Sequence, residues 1–124
     1  MASNIRTPPK CTADFCLIPL GTPTASVSSE VAQVQRFLKT TGVKFSMHSA
    51  GTTLEGSWDE CMQIIGQCHQ MLHERGVVRI QSDIRVGSRT DKLQTIEDKV
   101  AAVEKLLAKD GDENEATKTQ GRPT

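Results

Sequence analysis

The sequence predicts an α+β sandwich in the order β-α-β-β-α-β, with one further helix toward the C-terminal end. Three observations predict it. Apolar residues alternate with polar ones at period two around 43–48 and 78–86, the spacing of half-buried strands. They recur at helical spacing in Val27, Val31, Val34 and Leu38, and again in Cys61, Met62, Ile65, Cys68 and Leu72. The two kinds of segment then alternate along the chain, punctuated by Gly42, Gly51 and Gly76.

Each element has its own reason. Thr12 to Leu20 is apolar on both faces, as a central strand is, and ends at Pro19 and Gly21-Thr22-Pro23. The first helix has Ser26 or Ser28 as candidate caps, and Gly42 stops it. Val43, Phe45 and Met47 alternate with Lys44, Ser46 and His48 in a second strand, and Ser49-Ala50-Gly51 turns into a third, Thr52 to Glu55. Ser57 and Glu60 have capping-box spacing, which starts a helix at Trp58, the only tryptophan. In the fourth strand Val78, Ile80, Ile84 and Val86 oppose Arg79, Gln81, Asp83 and Arg85. A last helix begins near Thr95 and is expected to bury Ile96, Val100, Val103 and Leu107.

This succession is the split βαβ, or ferredoxin-like, pattern. Two helices cover one face of a four-stranded sheet. The other face is mixed, with Asp14, Cys16, Ile18, His48 and Asp83, and its burial against a second copy is expected. Residues 1–10 read as a flexible leader and 11–109 as the domain. Residues 110–124, which lack a large apolar side chain, read as a disordered tail.

Composition narrows the function. Fifteen basic and fifteen acidic side chains cancel, so no global field favours nucleic acid or an anionic membrane. With one tryptophan, three phenylalanines and no tyrosine there is no stacking platform for single-stranded nucleic acid. No run is long and apolar enough to span a bilayer. Cys61 and Cys68 lie about 10 Å apart along one helix, too far to bridge each other, and free thiols in a reducing cytoplasm are expected.

The candidate chemistry is sparse. No Walker loop, dinucleotide fingerprint or nucleophile elbow is present. His69 and His73 share a helix face beside Cys68, but without HExxH an ordinary surface pair explains them better than zinc. Cys16, His48 and Asp83 could meet on the open sheet face, where chance juxtaposition on a mixed surface outweighs a working Cys-His pair. Arg85, Arg89 and Lys92 with Asp83 and Asp91 read as a solvated charged stretch or subunit ion pairs. Glu55 just ahead of Trp58 is the more pointed feature, because a carboxylate beside an aromatic plane suits a flat organic cation. Taken alone, the same residues are better read as a solvated strand-end charge and a core aromatic.

The motifs Ile18-Pro19-Leu20-Gly21-Thr22, Ser26-Val27-Ser28, His48-Ser49-Ala50-Gly51-Thr52, Leu54-Glu55-Gly56-Ser57-Trp58-Asp59-Glu60 and Arg89-Thr90-Asp91-Lys92 follow one another in fixed order. In order and spacing the chain resembles the small thiamine-binding protein family over roughly residues 12–107. The family often has proline and methionine where this chain has Ser49 and Ala50, and an acidic residue in place of Ser57. The resemblance implies a ferredoxin-like fold, a homotetramer built as a dimer of dimers, and binding of thiamine or its hydroxymethylpyrimidine part as a ligand rather than a cofactor. It implies no catalysis. Clustering at the strand ends makes Ser26, Ser28, His48, Thr53, Glu55, Trp58 and Asp83 the expected contacts, with Glu55 and Trp58 leading. The alternative is an oligomeric interaction or assembly module with no small ligand; a small enzyme ranks third, since no nucleophile–base pair stands out.

Overall fold

The computed structural model of the chain describes residues 3–93 and 95–121. Its elements are β1 (Cys11–Leu20), α1 (Ser28–Thr41), β2 (Lys44–His48), β3 (Gly51–Gly56), α2 (Trp58–Glu74), β4 (Arg79–Gly87) and α3 (Ile96–Gly121). The strands form one antiparallel sheet in the order β2-β3-β1-β4, which is the split βαβ arrangement expected from the periodicity.

One face of the sheet carries the core. Ala13, Phe15 and Leu54 from the central strands pack with Val34 and Leu38 of α1 and Cys61, Ile64, Ile65, Cys68 and Leu72 of α2. Trp58 and Phe45 are partly buried against this cluster. The residues between them in sequence point to the opposite face, where Asp14 stands opposite Thr53, and Glu55 opposite both Thr12 and Lys44.

The start of α2 is set as the capping residues require. Ser57 is the N-cap, and its hydroxyl accepts from the Glu60 N–H at 3.1 Å. The Trp58 N–H, which has no acceptor within the helix, donates to the Pro8 carbonyl at 3.1 Å. Thr7 donates to the Asp59 carboxylate at 2.9 Å. The segment read as a flexible leader is thus tied to α2 over its last residues; Met1 and Ala2 lie outside the described residues.

Two local expectations need correction. Neither Ser26 nor Ser28 caps α1: the N-cap is Val27, which makes no side-chain cap bond. The two serine hydroxyls bond each other at 3.0 Å, and Ser26 Oγ also accepts from the Ser28 N–H at 3.3 Å. Val100, Val103 and Leu107 are not buried, being 52%, 55% and 61% exposed. The chain divides into two compact units, Met1–Asp91 and Lys92–Thr124, and α3 belongs to the second. Among the described residues of that unit no second layer covers its apolar stripe. The α3 backbone is helical to Gly121, past Lys109, where composition placed the domain's end. Glu, Ala and Lys in that stretch carry good helix propensity. Residues 122–124 of the expected tail lie outside the described residues.

Candidate ligand-binding site

The site begins with unequal strand lengths. β1 runs to Leu20, but its pairing with β3 stops at Phe15↔Thr52. The chain turns there through Ser49 and Ala50, with His48 opposite Gly51. Gly51 permits the close approach: a Cβ at this position would collide with the Phe15 carbonyl oxygen. Beyond the turn β1 continues paired with β4 alone, as far as Leu20↔Arg79.

The space left beside β1 is roofed by the first turns of α1. The result is a cavity of about 210 Å³. Its walls are Phe15, Cys16, Leu17 and Pro19 of β1, the 48–52 turn, Leu72 of α2, and Val27, Glu30, Val31, Val34 and Gln35 of α1. A cavity of ~150 Å³ holds a benzene ring, so this one is sized for a single ring with small substituents.

Its polar side chains come from α1, the turn and β3. Gln35 Nε2 donates to Thr52 Oγ1 at 2.9 Å. Glu30 Oε2 is buried and has no hydrogen-bond partner. Such an oxygen calls for a donor or a cation, because desolvating a carboxylate without compensation is costly. His48 forms part of the rim. Its Nδ1 accepts from the Ala50 N–H at 3.3 Å, so Nε2 carries the proton and donates to Asp14 Oδ1 at 2.6 Å. Thr53 donates to the same Asp14 oxygen at 3.2 Å. This set fixes the orientation of the imidazole and of the turn that carries it.

Of the residues expected to touch ligand, only His48 lines the cavity. Thr53 acts behind it, through Asp14. Ser26 and Ser28 flank Val27 at the outside of the α1 start. Asp83 lies on β4 opposite Cys16, and the hydrogen bond of His48 goes to Asp14 rather than to either of them. Glu55 and Trp58 lie toward the far end of β3. Glu55 is held through one oxygen: its side chain is 1% exposed, Lys44 Nζ is 2.8 Å from Oε2, and the buried Oε1 has Lys10 Nζ at 3.9 Å and no hydrogen-bond partner.

Glu30, Gln35 and Thr52 line the cavity and were not among the contacts expected from the sequence. A signal for two of them existed, since Glu30 and Gln35 each sit beside a member of the Val27/Val31/Val34 stripe and so flank the buried face of α1.

The remaining polar clusters are structural. His69 bonds Ser82 at 2.7 Å and His73 bonds the Val77 carbonyl at 2.8 Å, with ring centroids 6.3 Å apart. Among the described residues no group of three His, Cys, Asp or Glu could hold a metal ion. Burial pushes the Cys61 and Cys68 thiols up to about 12, so neither supplies a thiolate at neutral pH. Arg89 pairs with Asp91 two residues on, at 2.6 Å, as a local loop contact.

Comparison with known proteins decides the family. The family model described as thiamine-binding protein matches residues 13–104. The chain belongs to the thiamine-binding protein family. It is 50% identical over 95 residues to the UPF0045 protein ECM15 of Eremothecium gossypii, covering 77% of this chain and 90% of that one. Among solved structures it is similar to MJ1052 of Methanocaldococcus jannaschii, at 34% identity and a TM-score of 0.69, over 77% of this chain and 96% of that one. A Thermotoga maritima protein proposed for thiamine biosynthesis or salvage has a TM-score of 0.66 at 21% identity, over 77% and 99% of the two chains, which shows a shared fold. Family membership agrees with the α+β architecture and with a site made for a small molecule. Among the described residues no helix is long and apolar enough to cross a membrane.

Proposed function

We propose that this protein binds thiamine or a related pyrimidine, without chemistry on it, in the cavity between α1 and the β2–β3 turn. The buried Oε2 of the half-buried Glu30, which has no hydrogen-bond partner, carries the reading. A ring-sized apolar cavity with one uncompensated acceptor selects a flat ligand bearing N–H donors or positive charge, and thiamine has both. The pyrimidine enters the cavity, and the thiazolium passes out over the exposed His48–Ala50 rim. The protein works as a cytoplasmic homotetramer, a dimer of dimers, and neither nucleic acid nor membrane is a partner.

Calorimetry with thiamine and with 4-amino-5-hydroxymethyl-2-methylpyrimidine tests this. Saturable heat with the wild type, lost in Glu30→Ala, is expected. No heat at millimolar concentrations of either compound would end the reading. Trp58 packs on the core rather than in the cavity, so its emission is expected to respond only weakly.

A second reading, an assembly module without a ligand, draws support from the exposed apolar residues of α3. It predicts that Glu30→Ala changes no binding property of the protein.

A further inference from the structure

The backbone that borders the cavity has a chemistry of its own. In an antiparallel strand the N–H and C=O of one residue point to the same side, and successive residues alternate sides. Two observations fix which side belongs to which residues of β1. The Phe15 carbonyl oxygen faces Gly51, on the β3 side. Pro19, which has no N–H, is placed opposite Ile80 of β4, and a proline is tolerated in a strand where its nitrogen faces away from the ladder. Odd-numbered residues of β1 therefore aim their backbone groups toward β3 and even-numbered ones toward β4.

Leu17 is odd, and β3 supplies no partner beyond Phe15. Its N–H and C=O point into the space past the turn, and Leu17 lines the cavity. There the strand edge presents one donor and one acceptor in a plane, with an apolar surface around them. Such an edge is ordinarily a template for another strand. Pro19 prevents that use, because the next residue on this side offers an acceptor and no donor.

We propose that Leu17 reads the edge of an amino-substituted nitrogen heterocycle through its backbone, the N–H donating to a ring nitrogen and the C=O accepting from the adjacent amino group. Glu30 is the further acceptor in the cavity. This rests on the cavity being the ligand site, and it specifies the chemistry selected there: a donor beside an acceptor on one ring edge, as in a 4-aminopyrimidine. A pyrimidinone presents a carbonyl where the amino group should be and sets it against the Leu17 carbonyl.

The test uses the full-length, ¹⁵N-labelled wild-type chain and follows the Leu17 amide by NMR and hydrogen exchange. The probes are 4-amino-5-hydroxymethyl-2-methylpyrimidine, its 4-oxo counterpart and thiamine. The expected result is a shifted Leu17 amide with at least tenfold slower exchange when the aminopyrimidine is bound, and at least tenfold weaker binding of the oxo compound. If the aminopyrimidine acts on Leu17 and thiamine does not bind, the inference holds and the thiamine assignment falls. If either ligand binds while the Leu17 amide is unmoved, or if the oxo compound binds equally well, the inference is overturned and small-molecule binding stands. If no probe binds, both are overturned.

Discussion

Lys44 Nζ stands 2.8 Å from Glu55 Oε2 across the β2–β3 ladder, and the Glu55 side chain is 1% exposed while that of Lys44 is 44% exposed. A buried carboxylate is held by a cation that reaches it from solvent. Lys10 approaches the other oxygen at 3.9 Å. Glu55 thus joins the chain ahead of β1 to the edge strand β2.

Lys44→Met should destabilise the fold by about 1–3 kcal/mol, the cost of leaving a buried acceptor short of its partner, partly offset by Lys10. Thiamine affinity should be unchanged, because neither residue lines the cavity. Denaturant unfolding and calorimetry on the same variant check both halves. A variant that keeps its stability and loses its ligand would return Glu55 to the site.

Glu30→Gln should have the opposite signature. Replacing a half-buried carboxylate with one buried, unpartnered oxygen relieves some desolvation, so stability should hold or rise by up to ~1 kcal/mol. Ligand affinity should fall at least tenfold, as expected when a charge-assisted hydrogen bond worth roughly 1.5–3 kcal/mol is weakened. Thermal melts without ligand, paired with a binding isotherm, separate the two effects. A variant that melts clearly lower and binds normally would show that Glu30 serves packing.

The contrast between Glu55 and Glu30 shows what the sequence discloses. Element order was legible because each element buries a stripe of the right period: Val34 and Leu38 on α1, Ala13 and Phe15 on β1, Cys61 through Leu72 on α2. Ser57 was legible as a cap because capping is a local interaction. Glu30 was not, since an acidic residue in a first helical turn ordinarily complements the helix dipole in water. Its burial depends on β1 outrunning β3 by five residues, a register fact that no local pattern encodes. The expectation at Glu55 and Trp58 rests on their being neighbours in sequence. In space Trp58 joins the core and Glu55 joins two lysines.

His69 makes stability depend on pH. Its burial, with the nearby His73 adding to the effect, holds the imidazole below its ordinary value of 6.5. A histidine whose folded value is depressed takes up its proton more readily in the unfolded chain. Above the ordinary value both states are neutral there and nothing changes. As pH falls through 6.5 the unfolded chain is protonated first, and stability declines until the folded-state value is passed. Melting temperature measured from pH 7.5 to 5 should fall in that lower range, and His69→Gln should flatten the decline. An unchanged slope in the variant would assign the acid sensitivity to other groups.

Self-association should depend on α3. Leu93, Ile96, Val100, Val103 and Leu107 follow a three–four spacing, and all but the half-buried Ile96 are more than half exposed. A stripe of this kind is a candidate for burial between copies. Sedimentation of the full chain at micromolar concentration should show a species larger than a monomer, and Val103→Glu should shift the distribution toward smaller species. A wild-type monomer would exclude the tetramer.

The two ends should differ in what their removal does. Among the described residues 3–6 no hydrogen bond reaches α2, so deleting residues 1–6 should leave the melting temperature unchanged. Deleting residues 1–10 removes the Pro8 carbonyl that accepts from Trp58, the Thr7 hydroxyl on Asp59, and Lys10 beside Glu55. Each hydrogen bond is worth roughly 0.5–1.5 kcal/mol net. The combined loss should lower the melting temperature by about 5 °C, given that ~1 kcal/mol moves a domain of this size by several degrees. Deleting residues from Asp110 onward removes no large apolar side chain, so fold, assembly and ligand binding should persist. If that C-terminal deletion lowers the melting temperature or the oligomeric state, the helical stretch beyond Lys109 belongs to the domain, and the boundary read from composition is wrong.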